Sequence, residues 1–254
     1  MILINKYLKN LNRVEFIITY DCTGKCKHCS EGDHPYTGVH LEESVADILC
    51  RIKKEYNITS VMTFGGEPLL YSDAVFKVHS EATKLGIEKR QLITNGFFSK
   101  DEGTIRSVAE KLSQCGVNDI LLSADAFHQE TIPLDVVKQF AMEIKRQGLN
   151  IRTSPAWLVS KDDGNSYNVR TAQIVKELEA LGVTESDGNI IFPEGNAKKY
   201  LSEYFDKDKE YINPYADNPE DVKAISIEPD GTLLGENIYK KDIMEILENY
   251  KGRF

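Results

Sequence analysis

The amino-acid sequence predicts an α/β fold, a partial (β/α)6 barrel of the TIM type with a small C-terminal α+β appendage. Two observations indicate the barrel: short apolar runs alternate with segments of helical periodicity, and a glycine follows each of four helical segments. These glycines stand at positions 86, 116, 148 and 182, a spacing typical of strand–helix units with parallel strands. A third observation limits the barrel, because residues 196–222 are polar and not periodic. A closed barrel of eight units is therefore not expected.

Six strands are predicted before residue 194. They lie at 14–19, 59–64, 91–94, 120–125, 150–154 and 189–192. Their aliphatic and β-branched residues favour extended backbone. The predicted helices occupy the intervals, at about 41–56, 73–86, 101–115, 133–147 and 168–182.

The last part of the chain is predicted to form the appendage. A hairpin is expected around the turn Pro229-Asp230-Gly231, and residues 240–250 are expected to form a closing helix. We therefore divide the chain into a barrel at 1–195 and an appendage at 196–254.

Composition argues against several classes of function. A net charge of −9 and a pI near 5.2 argue against nucleic acid as the main partner. No apolar run is long enough for a membrane span, and we see no signal peptide. Five cysteines, an odd number and mostly clustered, fit a reducing compartment, so a cytoplasmic protein is expected.

The most informative stretch is the cysteine loop, residues 20–29, which follows the first strand. Cys22, Cys26 and Cys29 fall within eight residues, and closely spaced thiolates are typical of soft metals and iron–sulfur clusters. Three cysteines, rather than four, leave one metal coordination position open to another ligand. The alternative is a structural zinc site completed by His28. Cys50 and Cys115, which fall in predicted helices, are interpreted as buried structural thiols.

Polar residues also follow the other predicted strands. Functional residues of parallel barrels collect at this end of the strands. Gly65-Gly66-Glu67-Pro68 follows strand two, Asn95 strand three, Ser123 and Asp125 strand four, and Arg152 lies in strand five. His34, His40 and His128 have no predicted partner and are interpreted as solvated loop residues.

The cysteine loop and the Gly-Gly-Glu-Pro segment together match a known family. Cys22-x-x-x-Cys26-x-x-Cys29 followed by Gly65-Gly66-Glu67-Pro68 resembles the radical S-adenosylmethionine (SAM) superfamily over roughly residues 14–193. The resemblance implies that the three cysteines hold one [4Fe–4S] cluster, with SAM on its fourth iron. It also implies SAM contacts from His28, Gly65, Gly66, Glu67, Pro68, Asn95, Ser123, Asp125 and Arg152.

The same resemblance implies an activity and its partners. A reduced cluster would cleave SAM to a 5′-deoxyadenosyl radical that abstracts hydrogen from a substrate, and flavodoxin or ferredoxin would supply the electron. A peptide, such as a ribosomal peptide precursor, is the leading substrate. The alternatives are a small metabolite or sugar nucleotide, a glycyl-radical activating enzyme or, outside the enzymes, a structural zinc protein.

The C-terminal region resembles the SPASM or Twitch extensions of peptide-modifying members of this superfamily. Those extensions carry auxiliary clusters on cysteines, but this sequence has no cysteine after Cys115. An auxiliary cluster is therefore not expected.

Overall fold

The computed structural model describes residues 5–33, 38–211, 213 and 215–253. The strands of this part are β1 (Arg13–Ile17), β2 (Ser60–Phe64), β3 (Lys89–Thr94), β4 (Asp119–Leu122), β5 (Ile151–Thr153), β6 (Ala156–Trp157), β7 (Asn189–Ile190), β8 (Ala224–Ile227), β9 (Thr232–Leu233) and β10 (Glu236–Asn237). The α-helices are α1 (Ile48–Glu55), α2 (Ser72–Lys84), α3 (Glu102–Gln114), α4 (Leu134–Arg146), α5 (Ser166–Glu179), α6 (Gly195–Tyr200) and α7 (Ile243–Asn249). Short 3-10 helices occur at Glu43–Asp47, Pro68–Tyr71 and Ser202–Tyr204.

A six-stranded parallel sheet forms the centre of the molecule. Its order is β5-β4-β3-β2-β1-β8, and every neighbouring pair is parallel. The glycines at 86, 116, 148 and 182 all have positive φ, as expected just beyond a helix. These features confirm the predicted α/β class and the partial barrel. No helix in the described ranges is long and apolar enough to cross a membrane.

The sixth strand of the sheet is not the one predicted from the sequence. Residues 184–190 run beside the β5 edge in two pieces: Thr184 bridges to Arg152, and β7 pairs with β6 in a separate two-stranded sheet. Pro155 stands between β5 and β6, and proline has no N–H to donate to a continuous ladder. The predicted strand at 189–192 therefore does not join the main sheet.

Strand β8 takes the sixth place, on the far side of β1. It pairs with β1 in register from Arg13–Ala224 to Phe16–Ile227. The segment that we assigned to a separate appendage therefore contributes a full member of the central sheet. The expected turn follows it, since the N–H of Gly231 donates to the carbonyl of Glu228, and β9 then pairs antiparallel with β10.

The two faces of the sheet differ in character. Val14 and Phe16 of β1 are fully buried in the main apolar core with residues of the surrounding helices. Arg13, Glu15 and Ile17 alternate with them and face the inside of the open barrel. Of the two cysteines outside the loop, Cys115 is buried in this core and Cys50 is half-buried.

Candidate active site

A cavity of about 1650 Å³ opens at the carboxyl ends of the strands and continues along the inner face of the sheet. All three cysteines of the loop line its mouth, together with Gly65 and Gly66. Residues at the other ends of the strands, Arg13 and Lys89, also line it. The cavity therefore extends along the full length of the barrel strands, beneath the site predicted at the rim.

The two glycines after β2 hold one side of the cysteine loop. The N–H of Gly66 donates to the carbonyl of Thr19, and the N–H of Glu67 donates to that of Asp21, both at 2.8 Å. A Cβ on Gly66 would lie 2.7 Å from the Tyr20 carbonyl oxygen, closer than such atoms can approach. The sequence suggested that these glycines admit SAM. The structure shows a further reason, because the base of the cysteine loop occupies the space of a side chain.

The segment before α6 holds the other side of the loop. The Asn196 N–H donates to the Cys29 carbonyl at 2.8 Å, and its side-chain amide donates to the Cys26 carbonyl at 3.3 Å. Gly195 has a φ of +50°, and a Cβ there would lie 2.6 Å from the Cys29 carbonyl oxygen. Sequence reasoning missed this role, although Gly195-Asn196 is a recognisable turn signal.

Burial keeps the thiols protonated in the absence of a metal. It raises the pKa of Cys22 to about 11 and also raises the pKa of Cys26 and Cys29. Negative neighbours add to the effect, including Glu67 near Cys22 and Asp125 near Cys26. A bound metal must therefore displace these protons, as thiolate ligation requires.

The arrangement of donor atoms fits a cluster better than one tetrahedral ion. Among the described residues, the possible ligand atoms of Cys26, His28 and His128 lie within 4.8 Å of one another. The thiols of Cys22 and Cys29 are not part of this group. A zinc ion with bonds of about 2.3 Å brings its sulfurs to within about 4 Å of one another. An iron–sulfur cluster binds each cysteine at a different iron, so three thiols around one cavity suit it.

His28 lies in a small aromatic group beside the cysteines. Its ring centroid is 5.0 Å from that of Phe127 and 4.8 Å from that of His128, and burial lowers the pKa of His28 to about 4. The interpretation of His128 as a solvated residue was wrong, because its Nδ1 pairs with Asp125 Oδ2 at 2.8 Å. His40 also has a partner, since it stacks on Tyr71. His34 lies outside the described residues.

Asp125 is buried and fully engaged by the protein. Its Oδ1 accepts from the N–H groups of Phe127 and His128, and its Oδ2 accepts from the Ala156 N–H. Burial alone would raise the pKa of Asp125, but His128, His28 and these donors bring it well below its usual range. The prediction that Asp125 contacts SAM does not fit this structure, because its oxygens already have donors and it does not line the cavity.

Glu67 is directed inward as well. Its carboxylate is fully buried and accepts from the N–H groups of Leu69 and Asn95 and from the Thr94 hydroxyl. Burial raises the pKa of Glu67 to about 7. The carboxylate thus joins the ends of β2 and β3, and it does not face the predicted SAM ammonium. Pro68 is likewise buried, at the start of the following 3-10 helix.

Three of the other predicted SAM contacts do line the cavity. Asn95 directs its amide toward the loop, donating to Thr23 Oγ1 at 3.2 Å, with Cys22 Sγ at 3.6 Å. Ser123 lines the same wall. Arg152 lines it too, but its Nε and Nη2 donate to the two carboxylate oxygens of Asp119 at 3.0 and 3.1 Å. This ion pair leaves Arg152 less suited to a SAM carboxylate than the sequence suggested.

Comparison with known families agrees with the site. The sequence profile of the radical SAM superfamily matches residues 16–150, which is more than half of the chain. A probable GTP 3′,8-cyclase of Saccharolobus islandicus strain L.S.2.15 is 25% identical over 294 aligned residues, covering 99% of this chain and 91% of that protein. The GTP 3′,8-cyclase of Moorella thermoacetica is 27% identical over 132 residues, covering 49% of this chain and 38% of that one.

Solved structures show the same fold. Streptococcus suis SuiB bound to S-adenosylmethionine superposes with a TM-score of 0.62 at 15% identity, covering 96% of this chain and 66% of SuiB. SuiB bound to its precursor peptide SuiA superposes with a TM-score of 0.60 at 15% identity, covering 96% of this chain and 65% of SuiB. This chain therefore spans slightly less than two thirds of SuiB, and at this identity the similarity concerns the fold alone.

Proposed function

This chain belongs to the radical SAM superfamily, and we propose that it is an enzyme that carries one [4Fe–4S] cluster on Cys22, Cys26 and Cys29 and acts on a peptide. One observation supports the cluster: three thiols that follow β1 line one cavity, on a loop held from both sides by backbone hydrogen bonds. When bound, the reduced cluster supplies the electron that cleaves SAM and generates the radical that abstracts hydrogen from the substrate.

The protein's own residues divide into those that face SAM and those that position them. We propose that His28, the Gly65–Gly66 backbone, Asn95 and Ser123 border SAM, since all of them line the cavity beside the cysteines. Glu67 and Asp125 act indirectly. Glu67 fixes the end of β3 through the Asn95 N–H, and Asp125 fixes His128 against His28.

The size of the cavity supports a peptide. Pockets for a single small ligand usually enclose about 300–1000 Å³, whereas this cavity has about 1650 Å³ and extends along the sheet. It therefore has space for SAM and part of a second, extended molecule. SuiB, which shares the fold, is described as bound to a precursor peptide. We propose flavodoxin or ferredoxin as the reductant, with the exposed Lys25 of the cysteine loop at the surface where it would dock.

A nucleotide is the second candidate substrate. The observation in its favour is the 25% identity, over almost the whole chain, to a probable GTP 3′,8-cyclase. GTP would require cations for its phosphates. Among the described residues that line the cavity, Arg13 and Arg152 are in ion pairs with Glu15 and Asp119, and the exposed Lys25 and Lys89 lie apart, on the cysteine loop and at the start of β3. The peptide is preferred because of the size of the cavity.

Anaerobic reconstitution tests the proposal. The wild-type protein should bind about four irons per chain and form 5′-deoxyadenosine from SAM when reduced. Cys26→Ala should lose both properties, whereas Cys50→Ala, which removes a cysteine outside the loop, should retain them. A colourless protein that binds zinc and never cleaves SAM would refute the proposal. Turnover of added GTP would establish the second candidate.

A further inference from the structure

A second group of possible metal ligands shares one cysteine with the predicted cluster site. Among the described residues, ligand atoms of Cys26, His28 and His128 lie within 4.8 Å of one another, and all three residues line the cavity. A tetrahedral zinc ion holds its nitrogen and sulfur ligands about 3.4–3.6 Å apart. The three side chains therefore need to approach one another by at most about 1.4 Å to bind one ion.

His128 is held as metal-binding histidines usually are. Its Nδ1 lies 2.8 Å from Asp125 Oδ2. A carboxylate only accepts, so Nδ1 carries the hydrogen and Nε2 keeps the lone pair that a metal ion needs. Asp125 is fixed in turn by the N–H groups of Phe127 and Ala156. In zinc sites a carboxylate placed in this way orients the histidine ring and raises its basicity.

His28 supplies a second imidazole with an unused nitrogen. Its Nδ1 is buried and has no hydrogen-bond partner in the described part of the chain. Burial lowers the pKa of His28 to about 4, so the ring is neutral at physiological pH, as a metal ligand must be. Buried polar atoms rarely lack a partner, so the unused nitrogen is a second, independent indication of a ligand site.

The charges around this group suit a divalent cation. Asp125 carries a negative charge, because its surroundings hold its pKa well below the usual range. A thiolate on Cys26 adds a second negative charge, and the two together balance one Zn²⁺ ion. Glu130 also lies near Cys26, but Lys27 pairs with it at 2.9 Å and offsets its charge.

We propose that the protein without its iron–sulfur cluster binds one Zn²⁺ ion through the Cys26 thiolate and the imidazoles of His28 and His128. Thiolate and imidazole ligands suit zinc, and three protein ligands leave one position for water. Binding releases the Cys26 proton to solvent. The site differs from the zinc site considered from the sequence, which combined His28 with all three cysteines of the loop.

This zinc site and the cluster exclude each other. Cys26 is a predicted ligand of the cluster, and one thiolate cannot complete both sites at once. Zinc therefore competes with cluster insertion, so assembly of the active protein is sensitive to zinc. The site itself does not depend on the proposed function, and only the competition does.

Zinc binding to the cluster-free, full-length chain tests the site. The wild-type protein should bind one zinc ion, measured anaerobically by competition with a chromophoric chelator. His128→Gln and His28→Phe should each weaken binding by at least about a hundredfold, since loss of an outer-shell partner alone typically costs about 10–100-fold. Both variants should still bind about four irons per chain in zinc-free buffer, because the cluster needs only the cysteines.

Control variants should give the opposite pattern. Cys22→Ala should lose the cluster and retain the wild-type zinc affinity. His40→Gln, at an exposed histidine that does not line the cavity, should retain both. Cobalt(II) in place of zinc adds a spectroscopic readout, because absorption from thiolate-to-metal charge transfer grows with the number of thiolates. Its intensity should be equal in the wild type and Cys22→Ala and absent in Cys26→Ala.

The rate of cluster insertion tests the competition. One equivalent of zinc should slow the growth of the visible cluster absorbance in the wild-type protein. The same addition should have no effect on His128→Gln. Equal rates with and without zinc in the wild type would overturn the proposed exclusion.

The outcomes distinguish this inference from the proposed function. A wild-type chain that binds no zinc at micromolar concentration overturns the inference. Zinc binding that is lost in Cys22→Ala but retained in both histidine variants also overturns it, because the ion then lies on the three cysteines. If one histidine variant does not fold, as judged by its melting temperature, the other decides. A protein that binds zinc at the proposed site but never a cluster overturns the proposed function alone.

Discussion

Replacing Gly66 with alanine should displace the cysteine loop. The new Cβ would lie 2.7 Å from the Tyr20 carbonyl oxygen and nearer still to that of Asp21. Carbon–oxygen contacts normally begin at about 3.3 Å, so relief of the Tyr20 contact requires the backbone beside Cys22 to move by about 0.6 Å, and relief of the closer Asp21 contact requires more. Both neighbours are backbone atoms of the loop and cannot rotate away. The Gly66 φ lies outside the left-handed region, so the effect is one of space alone.

We expect two measurable consequences of this change. Overpacking of this kind typically costs about 1–3 kcal/mol of unfolding free energy, which lowers the melting temperature by roughly 2–4 °C per kcal/mol in a chain of this size. Iron bound after reconstitution should fall well below the wild-type value. Gly164→Ala is the control, because a Cβ there meets nothing within 4 Å. Wild-type iron content and an unchanged melting temperature in Gly66→Ala would show that a side chain at this position does not displace the cysteine loop.

Three further predictions follow from other contacts of the site. Asn196→Ala removes the hydrogen bond to the Cys26 carbonyl. It should lower the unfolding free energy, measured with denaturant, by about 1–2 kcal/mol and reduce bound iron. Wild-type values for both quantities would contradict this prediction. Burial raises the pKa of Glu67 to about 7 from the ordinary 4.5. The folded protein therefore binds this proton more tightly than the unfolded chain, so the free energy of unfolding falls as pH rises through this interval. Glu67→Gln should flatten that part of the pH–stability curve of the metal-free protein, and an unchanged slope would argue against this assignment. Arg152→Met should lower stability by about 1–2 kcal/mol because Asp119 loses its partner, while SAM affinity, measured by equilibrium dialysis, stays within twofold; a tenfold loss would show that Arg152 contacts SAM.

Local signals explain what could be predicted of the fold. The glycine after each helix marks a residue with positive φ, and such a signal needs only neighbours in sequence. The cysteine spacing likewise identifies its loop without any distant partner. The residues of β8 were expected in a hairpin of the appendage, and their place in the central sheet was not predicted. The reason is that β8 follows a long irregular stretch and pairs with β1, more than 200 residues earlier. No local pattern specifies which edge of a sheet such a strand joins.

The orientation of side chains at the rim was the harder problem. The sequence placed Glu67 after the second predicted strand and Asp125 after the fourth, and the structure agrees with that placement. It turns both carboxylates inward, because buried N–H groups of Asn95, Ala156 and their neighbours need acceptors. Asn196 was missed for the opposite reason, since its contact with Cys26 joins residues 170 positions apart.

Electron paramagnetic resonance of the reduced protein, recorded with and without SAM, is the most direct test of the central claim. We predict a [4Fe–4S] signal that changes when SAM is added, because three cysteines leave one iron open to it. The signal should be absent in Cys26→Ala and present in Cys50→Ala. A cluster signal that SAM does not alter, or a reconstituted protein with no cluster, would show that these three cysteines do not hold a SAM-binding cluster.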